Sequence, residues 1–314
     1  VSDYLKKSGQ SKVELSGKEA RPFRIKLVSK GDSWEDALQR LDFAAALHVK
    51  SVKTLGLDLA PNDIPIQVAN ASADAKLESP ANGGKLALQP IITLQTEPYV
   101  LSMAENTDVL QKVQVTQGLI DGLLASIHPL FKDAVVPQGL LGLHLKHFNW
   151  PLAKNAENKA TFAGTLQLNG IRMNSTPFLS VLLGMMGISE RELSINDQSI
   201  DFEARDGRIS CSPITLDIQG YPLMMQGSFG FDKSVDFIAR VPVTQKMVGK
   251  DAYQFLQGTS IKVPIRGTAL KPAIDEAAFR DATADLMQQA VQKGLQQGAQ
   301  QGVQDLLQNL LKKK

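Results

Sequence analysis

The sequence predicts an α+β chain that is mainly β: an elongated, curved, largely antiparallel sheet forming a groove from two tandem repeats, with a few packing helices and a C-terminal helix. Three observations carry this reading. Apolar and polar residues alternate over many short segments, helical periodicity is confined to five stretches, and two short phrases recur in the same order about 125 residues apart.

The alternation is plain in Phe43, Ala45, Leu47, Val49; in Leu86, Leu88, Pro90, Ile92, Leu94; in Leu141, Leu143, Leu145; and in Ile261, Val263, Ile265. Residues two apart share one face of a strand, so each segment offers one apolar and one more polar surface. Antiparallel meanders give this pattern, whereas a doubly wound parallel sheet needs near-continuous apolar strands between regular helices. Pro90, Pro213, Pro222, Pro242 and Pro264 fall at or inside these segments. Proline cannot donate to a ladder, so they predict strand starts, edges and bulges, and hence an irregular, curved sheet.

The helical stretches run from Ser33 to Leu41, Thr107 to Lys132, Thr176 to Gly187, Gln245 to Gln257, and onward from about Asp275. Ser33 before Trp34-Glu35-Asp36 reads as an N-cap with acidic residues in the first turn. His128, just before Pro129, reads as the end of the second stretch.

The repeat is visible letter by letter. Gly84-Lys85-Leu86-Ala87-Leu88-Gln89-Pro90-Ile91 parallels Gly207-Arg208-Ile209-Ser210-Cys211-Ser212-Pro213-Ile214, and Val113-Gln114-Val115-Thr116-Gln117 parallels Val241-Pro242-Val243-Thr244-Gln245. In the second pair each phrase precedes a helical stretch and then a strand opening near Gly139 or Gly258. The organisation expected is residues 1–32 as strands continuing an upstream region, 33–151 as unit one, 152–272 as unit two, and 273–314 as a helical tail. Stacking such units continues one sheet along an axis. The tail carries Gly294, Gly298 and Gly302 and ends in Leu306, Leu307, Leu310 and Leu311 before three lysines, a small amphipathic end suited to docking on the sheet, on a protein partner or on a membrane surface.

Composition narrows the function classes. With 314 residues, 43% hydrophobic and 21% charged, the chain is long enough for one or two cores. A net charge of +2, with no basic cluster, argues against nucleic acid. The longest nearly apolar run, residues 177–188, is short of the roughly 18 residues a spanning helix needs. Aromatic content of 6% and helices between strands argue against a transmembrane barrel. The chain opens at Val1 on a polar, lysine-rich stretch and reads as a fragment, any initiator Met, signal sequence or N-terminal anchor having been removed or lying upstream.

No constellation of residues in the sequence points to a reaction. Cys211 sits in an apolar strand pattern with no base nearby and reads as a small buried hydrophobe. His144 and His147 are three apart in a strand, which points them to opposite faces and denies them a shared metal. Asp201 and Glu203 share a strand face about 7 Å apart, near the spacing of paired catalytic carboxylates, but Asp197 and Ser199 on that face describe a solvated surface. No G-x-S-x-G, H-E-x-x-H, P-loop or C-x-x-C motif occurs. The expectation is no catalytic residue, no metal and no cofactor.

The phrase Val263-Pro264-Ile265-Arg266-Gly267-Thr268, continuing through Pro272-Ala273-Ile274-Asp275 into a Gln/Ala/Gly/Leu tail, resembles the closing segment of AsmA-like envelope proteins. Ile127-His128-Pro129 through Trp150-Pro151-Leu152, and Gly227-Ser228-Phe229-Gly230-Phe231-Asp232, resemble long members of that family of the planctomycete type. The resemblance implies a periplasmic protein held at the inner membrane by an upstream segment, with an apolar trough that moves phospholipid between membranes or serves outer-membrane assembly. On that reading acyl chains lie along Leu86, Leu88, Leu141, Leu143, Ile209 and Val263, and an envelope protein is a second partner through the C-terminal helix. The alternative is a structural adaptor whose sheet is closed by its own helices, so the two readings part on whether the apolar face is open or filled.

Overall fold

A computed structural model of the chain describes residues 14–16, 23–27, 34–95, 97–124, 135–189, 192–218, 220–268 and 271–292. The Ser33 cap, His128, the glycine row and the four tail leucines lie outside these residues. In chain order the strands are β1 (Glu14–Ser16), β2 (Phe23–Leu27), β3 (Leu41–Val49), β4 (Ser51–Thr54), β5 (Leu57–Leu59), β6 (Asn62–Ala69), β7 (Ser72–Ala75), β8 (Leu77–Ala81), β9 (Gly84–Leu88), β10 (Pro90–Thr93), β11 (Val100–Met103) and β12 (Thr107–Gln114). They continue as β13 (Leu140–Pro151), β14 (Thr161–Asn169), β15 (Arg172–Asn174), β16 (Glu192–Ile195), β17 (Gln198–Arg205), β18 (Arg208–Ile218), β19 (Tyr221–Gly230), β20 (Val235–Pro242), β21 (Ser260–Thr268) and β22 (Lys271–Ile274). The fold is mostly antiparallel, open sheet with short helices, as the alternation predicts.

The chain forms two compact units: residues 1–132, 137–170 and 197–210 in the first, and 133–136, 171–196 and 211–314 in the second. The partition is interleaved along the chain, because long-range strand pairing rather than chain order decides which residues pack together.

In the first unit the short strands join into longer ones. The β3/β4 strand is interrupted at Lys50, β5/β6 at Ala60 and Pro61, β7/β8 at Lys76, β9/β10 at Gln89, and β11/β12 at residues 104–106. Main-chain bonds carry the ladder past the interruptions: Lys76 N–H donates to Pro65 C=O at 3.1 Å and Ala104 N–H to Gln89 C=O at 3.3 Å. The result is an up-and-down meander in which β3–β6–β7–β10–β11 form one row of pairings and β4–β5–β8–β9–β12 another, both ending on β13; β13 pairs β14, and β14 pairs β17. Hairpin turns at Asn82-Gly83 (φ 45° and 77°) and Asp206-Gly207 (φ 52° and 73°) use the Asn-Gly and Asp-Gly pairs that two-residue turns with positive φ require.

Residues 107–114 correct an expectation. They are strand β12, not the start of a helix. The i, i+1, i+4 spacing of Val109, Leu110 and Val113 mimics a helical stripe, but all three are buried because the register of β12 against β13 jumps twice, between Asp108 and Leu110 and between Leu110 and Val113. Lys112, with φ 51°, occupies the second irregularity. Helical backbone begins only at Gln117–Leu119 and continues as a π-turn, Ile120–Leu124.

The second unit is a filled core. Helices Pro177–Met185, Gln245–Leu256 and Glu276–Gln292, at three of the predicted places, and part of the sheet bury Leu182, Leu183, Leu216, Leu223, Val241 and Val263 to within 1% of complete. Each such leucine contributes about 1.5–3 kcal/mol by leaving water. The first of these helices starts on Thr176, whose hydroxyl accepts from Leu179 N–H, has proline at its first position, and stops at Gly187 with φ 72°. The last starts on Asp275, whose carboxylate accepts from Ala278 N–H at 3.1 Å.

The two V-x-V-T-Q phrases have the same local geometry. Both valine pairs are buried, both threonines stand at helix starts, and the second valine's N–H donates at 3.0 Å to the carbonyl just before the next strand, from Val115 to Gly139 and from Val243 to Thr259. The other phrase pair is one residue out of step: Gly207 is a turn glycine with positive φ, whereas its match Gly84 is already in β9 and the turn glycine is Gly83.

Candidate functional site

Strand registers assign each side chain of the first unit to one of two faces, since directly paired residues share a face. On one face Ile25 pairs Phe43, Phe43 pairs Val68, and Val68 pairs Ala73. The row continues from Ala73 to Ile92, to Leu101 and to Trp150. Two residues along β13 from Trp150, Phe148 pairs Phe162, and next to it Gly164 pairs Phe202. Nine strands therefore present one continuous apolar face. Parallel rows through Ala45, Ile66 and Ala75, and through Leu47 and Ile64, widen it.

Over half of each long strand the side chains of this face are only partly buried. Phe43, Ile66, Val68, Ile92, Leu101 and Trp150 are only half-buried, and Leu47 is 46% exposed. Aromatic rings pave one end: Phe148 lies 5.6 Å from Phe162 and 6.3 Å from Trp150, both stacked, and Phe162 meets Phe202 edge-on at 6.2 Å. At the other half of the strands, Val52, Leu59, Leu86, Leu110, Val113 and Leu141 are buried, together with Leu119, Ile120 and Leu124 of the helical segment. That segment is seated on the β4–β5 turn, where Leu123 N–H donates to Leu55 C=O at 3.1 Å.

The six residues expected along a lipid path divide accordingly. Leu86, Leu88, Leu141 and Leu143 share the apolar face, through the pairs Leu77–Leu88, Ser79–Leu86, Leu110–Leu86, Leu110–Leu143 and Val113–Leu141. Leu86 and Leu141 are buried in the covered half, whereas Leu88 and Leu143 are half-buried. Ile209 is half-buried on β18. Val263 is fully buried in the second unit's core, so it belongs to a filled interior and lines no open face. Phe148, Trp150, Phe162 and Phe202 are not among the six residues expected along a lipid path; Phe148-Asn149-Trp150 alternates like the rest, but the strand pairing that assembles the rings is not local in sequence.

The opposite face is polar. Arg24 bonds Asp42, His48 bonds Asp63 at 2.5 Å, and His144 bonds Asp108 at 2.7 Å. His144 and His147 share this face, contrary to strand alternation, because Lys146 is the extra residue of a bulge: the register passes from Leu145–Gly164 directly to His147–Ala163. No group of three or more His, Cys, Asp or Glu positioned for a metal occurs among the described residues. Asp201 accepts from the Thr165 hydroxyl at 2.6 Å with the Lys146 ammonium 3.7 Å away, and these hold its carboxyl below the ordinary range, the hydrogen bond foremost. Cys211 donates weakly to Gly227 C=O, and burial pushes its thiol up, away from the thiolate a nucleophile needs.

No described helix is long and apolar enough to cross a membrane. No protein-family model, curated protein or solved structure matches the chain.

Proposed function

We propose that the chain is a non-enzymatic envelope protein of the AsmA-like kind whose first unit holds the acyl chains of lipid along its uncovered apolar face, in the periplasm, for transfer between membranes or outer-membrane assembly. The single observation behind this reading is the nine-strand apolar face with polar residues opposite. At about 4.8 Å per strand its contour is roughly 38 Å, more than the ~15 Å that a chain in one bilayer leaflet reaches. Each methylene removed from water there contributes about 0.8 kcal/mol, while head groups remain in solvent. Binding is passive and needs no catalytic group.

A second reading, a structural adaptor with a closed core, is favoured by the second unit, whose buried leucines and Phe279 leave its interior filled.

Native mass spectrometry with lipid extraction, on protein isolated from bacterial membranes in mild detergent, separates the two. The lipid reading expects phospholipid in reproducible stoichiometry, lost when Ile66 and Phe148 are changed to Asp in a chain that still unfolds cooperatively. A stable, lipid-free protein supports the adaptor.

A further inference from the structure

Strand β2 has the most exposed run of large apolar side chains among the described residues: Phe23 is 68%, Ile25 59% and Leu27 54% accessible. Its one described partner is β3, with Phe23 opposite Ala45, Ile25 opposite Phe43 and Leu27 opposite Leu41. All three side chains project on the unit's apolar face, and Arg24 and Lys26 project on the polar one. An extended edge of alternating apolar and cationic residues is a template for a further strand, in which main-chain bonds supply affinity and alternate side chains supply selectivity.

The charges decide what that strand is. In an antiparallel pairing of two β2 strands, every register that pairs at least three β2 residues and keeps apolar residues on one face sets Arg24 or Lys26 against Arg24 or Lys26 of the second copy. Like charges directly opposite one another disfavour pairing. The β3 side shows the matching solution: Asp42 lies opposite Lys26 and accepts from Arg24 at 3.2 Å. We propose that the outer edge of β2 is a strand-addition site for an extended segment of another protein that alternates apolar with acidic residues. Apolar side chains of the segment extend the face beside Phe23, Ile25 and Leu27, and its carboxylates face Arg24 and Lys26. The inference is independent of lipid binding, since it concerns the edge of the sheet and not its face.

The test uses the full 314-residue chain and two fluorescein-labelled peptides, TVEIDVT and TVKIKVT, which differ at two positions, acidic in the first and lysine in the second. Fluorescence anisotropy at low salt is expected to show the acidic peptide binding at least ten-fold more tightly. Hydrogen exchange is expected to show new protection at residues 23–27 when it binds. Lys26→Glu is expected to shift the preference toward the basic peptide. Should that variant unfold, the exchange measurement on the unaltered chain decides by itself. Equal binding of both peptides, or protection elsewhere than residues 23–27, overturns the proposal. So does protection of 23–27 that rises with protein concentration, which means self-pairing, or that disappears on removing residues 1–13, which means the chain fills its own edge.

Discussion

Gly56 and Gly118 meet backbone to backbone. A Cβ on Gly56, whose φ is 78°, would lie 1.9 Å from the Gly118 carbonyl carbon, whereas a Cβ on Gly118 would come no nearer than 3.4 Å to Gly56. This contact seats the helical segment on the β4–β5 turn and so sets where the covered half of the apolar face ends. Gly56→Ala is expected to destabilise the chain by about 2–4 kcal/mol, from left-handed strain plus overlap, and Gly118→Ala by less than about 1 kcal/mol. Urea unfolding of the two variants checks the asymmetry.

The threonine caps are expected to differ. Thr176 accepts only from its own helix, at Leu179 N–H, whereas the Thr244 hydroxyl donates to Met186 C=O at 3.3 Å and so ties the helix that follows it to the end of Pro177–Met185. Thr176→Ala is expected to cost about 1 kcal/mol. Thr244, being buried, leaves a carbonyl without its donor, so Thr244→Ala is expected to cost about 1–3 kcal/mol, as read by thermal denaturation.

Open face and filled core make opposite demands on polarity. Leu47, 46% exposed, is expected to accept Asp with a loss of less than about 1 kcal/mol. Val263, with no exposure, is expected to abolish cooperative folding of its unit when changed to Asp, since an isolated buried carboxylate has no compensating partner. Circular dichroism and limited proteolysis compare the two.

Asp201 gives a pH dependence with a definite sign. Its folded carboxyl titrates below the ordinary 3.8 because Thr165 donates to it and Lys146 lies near. The stabilisation is present above the unfolded value and is lost as pH falls through the lower folded one, hence below about pH 4. An NMR titration of Asp201 is expected to show the depressed midpoint, and Thr165→Val is expected to move it upward.

Local chemistry alone settled much of this protein. Period-two alternation marks strands wherever one face leaves water, Asn-Gly and Asp-Gly mark tight turns, and Thr-Pro or Thr-Gln before an apolar stretch marks helix starts, as at Thr176 and Thr244. These signals need only a residue and its near neighbours, and they sufficed for the fold class and for helices 177–185, 245–256 and 276–292. They also placed Leu88 and Leu143 on an apolar strand face. Pairing between distant strands decided the rest. The bulges that turn Val109, Leu110 and Val113 inward exist only against β13, and the one that brings His144 and His147 to one face exists only against β14. Whether an apolar row is core or open surface depends on what lies over it: helices cover Val263, the 117–124 segment is seated at the end where Leu141 is buried, and Phe43, Ile66 and Trp150 stay only half-buried. Alternation reports that a side chain avoids water, and only tertiary contact reports what it meets instead.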